Sequence, residues 1–427
     1  MSKYTKEDIM KLVEEEDVEF IRLQFTDMFG NLKNIAITPG QLEKIQDCKY
    51  PFESSAVFDD LYDPEENLFL VPDLDSFTIL PWRPQQGKVA KFICDVIKQD
   101  GTPYTLSPRT ILKNVLEDAK KEGYTFVVDP ECEFFLFHTD DNGTPTTITH
   151  EKAGYLDVGP LDLGENARRE MVLTLEDMGF EIESSHHEKA PAQHEIDFTQ
   201  AEALDTADAL MNFKFAIRST AKRFGLYATF MPKPRTDLPG SGMHLHISMY
   251  KNGENLFDDD DGEASAMAGF FMGGVMEHAR ALCAITNPVV NSYKRILTGY
   301  HAPKEVYWAK KGEKALLKYH NNGADTKVEL RFPDPSANPY LAIAVCIAAG
   351  MDGIHKQISP GEVNCQSGRY LPGNLKDALD CMKQDNLMKA TLGEEFVKLY
   401  TAIKYQEWNE YMEQVSDWEI EKYINRV

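Results

Sequence analysis

Residues 128–137 read Val-Asp-Pro-Glu-Cys-Glu-Phe-Phe-Leu-Phe, and the rest of the chain is organised around them. An aromatic, apolar run of this length predicts a buried strand. Glu131 and Glu133 stand two residues apart at its head, and residues i and i+2 of a strand share a face. Two carboxylates side by side repel unless something positive lies between them. A divalent cation is the simplest such partner, because hard cations take oxygen ligands. The bland alternative is a strand end carrying two solvated acids.

The same chemistry recurs in three further segments. Residues 240–249, Gly-Ser-Gly-Met-His-Leu-His-Ile-Ser-Met, place His244, His246 and Ser248 on one strand face after a glycine-rich entry. Residues 328–332 place Glu329 and Arg331 on one face, and Lys327 shares their sequence parity. Residues 185–195 gather Glu188, Glu195, His186, His187 and His194 into what reads as a short loop. A lone histidine is normally a satisfied core or surface residue. Four separate segments of carboxylates and imidazoles together predict a metal site.

A chain of 427 residues is long enough for two domains. Its 42% hydrophobic and 27% charged content is ordinary for a soluble globular protein. The net charge of −24 argues against nucleic acid or an anionic membrane as partner, since both need a basic surface. Seven cysteines without a Cys-x-x-Cys pair, several among apolar neighbours, read as reduced core residues of a cytoplasmic protein. The polar N-terminus has no signal-peptide core, and the longest apolar run, residues 340–351, is too short to span a bilayer.

Along the chain, a helix is expected over residues 6–16 and strands over 19–25, 32–37, 68–72, 76–81 and 89–96. Ser107 and Pro108 supply an N-cap and first-turn proline for a helix over 109–121. A strand-rich N-terminal domain, residues 1–105, is therefore followed by a larger one, residues 106–427. There, strands alternate with helices over 165–178, 205–223, 264–286 and 337–354, and residues 375 onward are mostly helical. The acidic loop 258–262 reads as solvated surface.

Several motifs together resemble the bacterial type I glutamine synthetase family, in its shorter subgroup. They include Pro72-Asp-Leu74, Lys-Val-Ala-Lys-Phe-Ile-Cys-Asp at 88–95 and Asp-Leu-Gly-Glu-Asn at 162–166. They continue with Thr-Phe-Met-Pro-Lys-Pro at 229–234, Asn-Ser-Tyr-Lys-Arg at 291–295, Arg-Phe-Pro-Asp-Pro at 331–335 and Asn-Pro-Tyr at 338–340. The resemblance spans essentially the whole chain. It implies an α+β fold: a small N-terminal β-grasp domain, then a catalytic domain with a curved antiparallel sheet flanked by helices. It implies a homo-oligomer of two stacked hexameric rings, with each site completed by a neighbour's N-terminal domain.

The implied activity is an ATP-dependent ligation of glutamate to ammonium or a larger amine through a γ-glutamyl phosphate, with Mg²⁺ or Mn²⁺ in the site. Catalysis of that kind is mainly positioning and charge neutralisation. By resemblance Glu133, Glu188 and Glu195 hold one ion, and Glu131, His244 and Glu329 a second. His186, His246, Ser248, Lys318 and Lys327 lie near the nucleotide, while Gly240, Arg295, Arg331 and Ser55 hold the substrate. Arg295, Arg331 and His301 are the expected catalytic residues.

The chain also departs from the family pattern. Phe52 stands where an ammonium-binding aspartate is expected, and His301 replaces the flap glutamate. Glu313 and Lys318 fall at two phosphate-binding arginines, and Lys327 at a third. Lysine lacks the bidentate fork, and a glutamate adds repulsion. These departures leave two expectations, a glutamate–amine ligase, or a catalytically impaired relative with a binding, regulatory or assembly role.

Overall fold

The computed structural model describes residues 3–42, 50–57, 67–83, 86–259 and 263–426. Residues 260–262 of the acidic loop, and Cys48, lie outside the described residues. The N-terminal sheet contains β1 (Val18–Thr26), β2 (Leu32–Ile37), β3 (Tyr50–Glu53), β4 (Asn67–Pro72), β5 (Thr78–Ile79) and β6 (Lys88–Ile97). Its order is β2-β1-β6-β4-β3, with β5 on β6. β1 runs antiparallel to β2 and parallel to β6, the mixed pairing of a β-grasp. Being central, β6 is buried along most of its length rather than on one face. β3 went unread because it is only four residues long, carries a proline and runs straight into Ser54 and Ser55. The strand expected at 76–81 shrinks to two residues, with a 3₁₀ turn at Leu74–Ser76 before it. Helix α1 (Lys6–Glu15) precedes this sheet.

Helix α2 (Pro108–Lys121) opens the larger part, with Pro108 in its first turn. Ser107 holds the N-cap position but its hydroxyl makes no cap bond. Arg109 ties the two parts together. Its guanidinium, 4% exposed, donates to Asp208 (2.8 Å), Asp73 (2.6 Å) and Asp95 (2.5 Å), and Tyr340 Oη adds a 2.6 Å bond to Asp208. Removing one member of such a buried network costs roughly 3–5 kcal/mol, because the remaining charges stay buried without a partner.

Residues 128–137 do not form the single strand expected of them. They divide into β7 (Thr125–Cys132) and β8 (Phe134–His138), broken at Glu133, whose N–H donates to Gly242 O at 3.1 Å. The two halves join different sheets. Residues 185–195, expected as a loop, are an antiparallel hairpin of β9 (Ile182–His187) and β10 (Gln193–Phe198). With β12 (Leu226–Thr229) they form a four-stranded sheet ordered β12-β8-β10-β9. The larger sheet adds β11 (Ala201–Glu202), β13 (Met243–Lys251), β14 (Glu254–Asn255), β15 (Trp308–Ala309), β16 (Leu317–His320) and β17 (Lys327–Leu330). Its order is β11-β7-β13-β17-β16-β15, with β14 on β13. Together these make the curved, mainly antiparallel catalytic sheet.

Helices α3 (Glu165–Asp177), α4 (Ala203–Arg223), α5 (Ala266–Thr286), α6 (Val290–Thr298) and α7 (Pro339–Lys356) flank it. α7 is apolar nearly all round and buried, as such a helix must be. It crosses α5 so closely that a Cβ on Gly274 would sit 2.0 Å from Ala349 O. The C-terminal segment is helical, as expected.

Candidate active site

The larger sheet supplies the floor of a cavity of about 370 Å³. Residues directly opposite in an antiparallel sheet share a face. The register pairs His244 with Glu131, His246 with Asp129 and with Glu329, and Lys318 with Glu329. Polar side chains from four strands therefore emerge together. Leu245, Ile247, Val128, Val328 and Leu330 point the other way, into the core.

Two carboxylates each reach two imidazoles. Glu131 Oε2 lies 2.9 Å from His244 Nδ1, and Oε1 lies 2.9 Å from His246 Nε2. Glu329 Oε1 lies 3.5 Å from His244 Nδ1, and Oε2 lies 2.6 Å from His320 Nε2. Arg331 also donates to Glu329 Oε1, and Lys318 Nζ stands 3.3 Å from Oε2. Burial alone would push both carboxyls up. The two histidines at Glu131, and His320, His244 and Arg331 at Glu329, more than offset it and hold both well below the usual range.

The β9–β10 hairpin brings the second group. His186 and Glu195 are cross-strand partners, and Glu188 follows β9 directly. Glu188 Oε1 lies 3.2 Å from His186 Nε2, and Oε2 accepts the Lys189 N–H at 2.9 Å. One potential ligand atom from each of His186, Glu188 and Glu195 lies within 4.8 Å of the others, and the same holds for Glu131, His244 and Glu329. Glu133 stands in the break between the sheets, where Oε2 accepts from Gln193 Nε2 and the Gly242 N–H, both at 2.8 Å. Burial, then the neighbouring Glu188, pushes Glu133 up to about 8. Burial, then Glu133 and Asp197, pushes Glu195 well up. Buried oxygens and imidazoles held against mutual repulsion are the donor set a divalent cation would relieve.

Cations line another wall. Buried Arg295 donates to the carbonyls of Phe332 (3.0 Å), Pro333 (3.2 Å) and Arg331 (3.1 Å), which fixes its fork beside the cavity. Gly240 lets the chain pass close by, since a Cβ there would sit 2.2 Å from Pro232 O. At the mouth, the Glu313 carboxylate accepts from Lys189 Nζ at 2.9 Å and meets His301 Nδ1. The Lys189 bond, joined by His301, outweighs burial and holds Glu313 at about 2. His301 has φ +55°, uncommon outside glycine.

Not every expected residue reaches the cavity. Ser248 has the right parity, but its hydroxyl is buried and donates to Thr326 O at 2.8 Å. Lys327 turns aside to Asp129, 2.6 Å away. Ser55 lines a separate cavity with Asp27, Asn31 and Glu53, so within one chain it does not meet the other substrate residues. Phe52 packs on Phe25 with ring centroids 4.8 Å apart, inside the N-terminal domain. His186 stands with Glu188 and Glu195. His187 and His194 face a buried group containing Glu151, Asp162 and Arg168.

Several lining residues, Tyr155 and Tyr300 among them, had no role in the sequence reading. Lys189 and Asp197 belong to the misread hairpin. His320 lies two residues beyond Lys318, on the same face of β16, and that parity was a usable signal.

A model of the glutamine synthetase catalytic domain matches residues 105–423, and a model of the glutamine synthetase β-grasp domain matches residues 17–99. A glutamine synthetase of Clostridium saccharobutylicum is 50% identical, with 100% of each chain covered. One from Staphylococcus epidermidis is 43% identical, with 99% of each covered. A solved structure described as apo GmaS without ligand superposes with a TM-score of 0.89 at 31% identity, covering 98% of this chain and 99% of that one. A cryo-EM structure of Plasmodium falciparum glutamine synthetase has the same TM-score, 0.89, at 23% identity with 99% of each chain covered, a likeness of fold alone.

Proposed function

The chain belongs to the glutamine synthetase family, and from that premise we propose that its cavity joins glutamate to an amine through a γ-glutamyl phosphate. The chain is an ATP-dependent ligase. The observation that carries the assignment of roles is the meeting of two carboxylate–imidazole groups with Arg295, Arg331 and Lys318 around one cavity.

The chemistry proceeds in two steps. A glutamate side-chain oxygen takes the γ-phosphoryl group of ATP, and ADP leaves. The amine nitrogen then attacks the acyl carbon, its C–N bond forming as phosphate departs, and the amine gives up a proton. The first step brings two anions together and the second builds negative charge on the departing phosphate, so the residues must position and neutralise. Arg295 and Arg331, with the open backbone at Gly240, hold the glutamate. Lys318 and His246 face the phosphates from the sheet, and His186 from the hairpin. His301, at the mouth beside Glu313, stands where the amine enters and is placed to take its proton.

The donor set fits divalent cations: Glu131, His244 and Glu329 would hold one, and Glu188, Glu195 and the adjoining Glu133 another. When bound, such ions neutralise the polyphosphate; Mg²⁺ or Mn²⁺ matches the oxygen-rich group.

Assembly belongs to the same reading. Ser55, Glu53 and Asn31 lie away from their own chain's catalytic cavity, as they would if they served a neighbour's. Tyr155, Leu156, Val158, Trp418 and Ile424 are exposed apolar side chains suited to contacts between copies. A homo-oligomer of stacked hexameric rings, with the domain boundary near residue 105, fits both features. Among the described residues no helix is long and apolar enough to cross a membrane. Buried free cysteines such as Cys94, Cys283 and Cys346 support a cytoplasmic setting.

The test is phosphate release with ATP, glutamate, Mg²⁺ and a panel of amines including ammonium. Release requiring both glutamate and an amine is expected. Glutamate-independent hydrolysis, or none with any amine, would overturn the assignment.

A further inference from the structure

His320 belongs to no group expected from the sequence, yet it completes a third set of ligands. One potential ligand atom from each of His246, His320 and Glu329 lies within 4.8 Å of the others. Glu329 Oε2 is 2.6 Å from His320 Nε2, Glu131 Oε1 is 2.9 Å from His246 Nε2, and the two imidazole centroids are 5.4 Å apart. The Glu131 and Glu329 carboxylates are each divided. One oxygen faces His244, and the other faces His246 or His320.

We propose that His320 and His246, with the outward oxygen of Glu329, form a nitrogen-rich cation subsite beside the His244 subsite, one that selects a divalent transition ion and holds it without nucleotide. This deepens the ligase reading above and rests on its metal site.

The donor chemistry separates this subsite from its neighbours. Glu131, His244 and Glu329 offer two oxygens and one nitrogen, whereas His246, His320 and Glu329 make an N₂O set. Imidazole suits zinc-like ions, and carboxylate and water suit magnesium. Three protein donors with a water in the fourth position complete a tetrahedral site without a phosphate oxygen.

The spacing is compatible with an ion. Ligands about 2.1 Å from a tetrahedral ion stand about 3.4 Å from each other. The present 2.6 Å between Glu329 Oε2 and His320 Nε2 would open by less than 1 Å. His320 is at the end of β16 with its side chain 31% exposed, so it has room to move. His246 is 6% exposed, and among the described residues its Nδ1 is buried without a partner. Lys318 Nζ, 3.3 Å from Glu329 Oε2, is the opposing feature, a tethered cation that an incoming ion must displace.

The experiment uses the full chain, stripped with chelator and titrated with Co²⁺ alone. Its d–d absorption reports coordination number, and equilibrium dialysis counts the ions. The wild type should show an intense four-coordinate band. His320→Ala should lose that band and one bound equivalent, or bind that equivalent at least tenfold more weakly, while keeping an ion at Glu131, His244 and Glu329. Zn²⁺ should compete with Co²⁺ far better than Mg²⁺ in the wild type and lose that advantage in the variant.

As a second measurement, Co²⁺ should protect His320 of the wild-type protein from acylation by diethylpyrocarbonate, read by mass spectrometry. An unchanged band and stoichiometry in His320→Ala, or an unprotected His320, would overturn the proposal. Neither readout involves ATP or glutamate. A chain that binds cobalt as described but releases no phosphate would therefore contradict the ligase roles and not this subsite.

Discussion

Glu313 puts a negative charge at the mouth of a cavity that must receive a polyphosphate, and the structure shows how that charge is spent. Its carboxylate holds Lys189 and His301, both of which line the same cavity. The Lys189 ammonium and the His301 imidazole are thereby turned away from an incoming anion. Glu313→Gln keeps the shape and removes the charge, so it should lower the KM for ATP by roughly threefold or more, as expected for a full charge removed a few ångströms from another. Steady-state kinetics at fixed glutamate and amine reads this directly. An unchanged or higher KM for ATP would mean that the Lys189–Glu313–His301 bridge helps build the nucleotide site.

Single residues also mark where sequence parity misled. Ser248 shares the face of His244 and His246, but parity says nothing of the Thr326 carbonyl that takes its hydroxyl. Lys327 is lost in the same way to Asp129.

At the scale of elements, most helices were legible, because helical period and caps are local, although α6 was not read. The sheets were less so. Residues 128–137 carry one unbroken apolar pattern, and only a partner distant in sequence, Gly242, shows that the chain leaves one sheet for the other at Glu133. The β9–β10 hairpin has few β-branched residues and many charged ones, so its strand character comes from pairing rather than propensity. Glu131, His244, Glu329, Glu188 and Glu195 could nonetheless be named, because their chemistry stands out whatever element carries them. His320 was passed over because β16 is short and was not read as a strand.

Packing between elements yields a further expectation. His278 on α5 lies 3.0 Å from Asp352 on α7 and 2.7 Å from Asp385, which caps the next helix. Lys356 also meets Asp352, at 2.9 Å. Burial lowers the imidazole, but the bonds to Asp385 and Asp352 outweigh it, so His278 is raised above its ordinary 6.5. Folding then favours the protonated ring. That stability is fully present below pH 6.5 and is lost as pH rises through the folded value. Thermal unfolding of wild type and His278→Asn should differ most at pH 6 and converge by pH 9. A difference that does not change with pH would show that the ring acts only by packing.

For the whole molecule, the proposed shared site, with Ser55 apart from its own chain's catalytic cavity, predicts that activity depends on assembly. Light scattering should give a multiple of the single-chain mass, and dilution that dissociates the assembly should abolish phosphate release. A fully active single chain would refute the shared site.

The central claim is that a glutamate side-chain oxygen attacks the γ-phosphorus of ATP before any amine arrives. Glutamate labelled with ¹⁸O in its side-chain carboxylate tests it, with the released phosphate read by mass spectrometry. The account predicts one ¹⁸O in each phosphate released, with the accompanying γ-glutamyl amide keeping the other. Unlabelled phosphate formed in step with ATP consumption would mean that water, not glutamate, takes the phosphoryl group, and would contradict it.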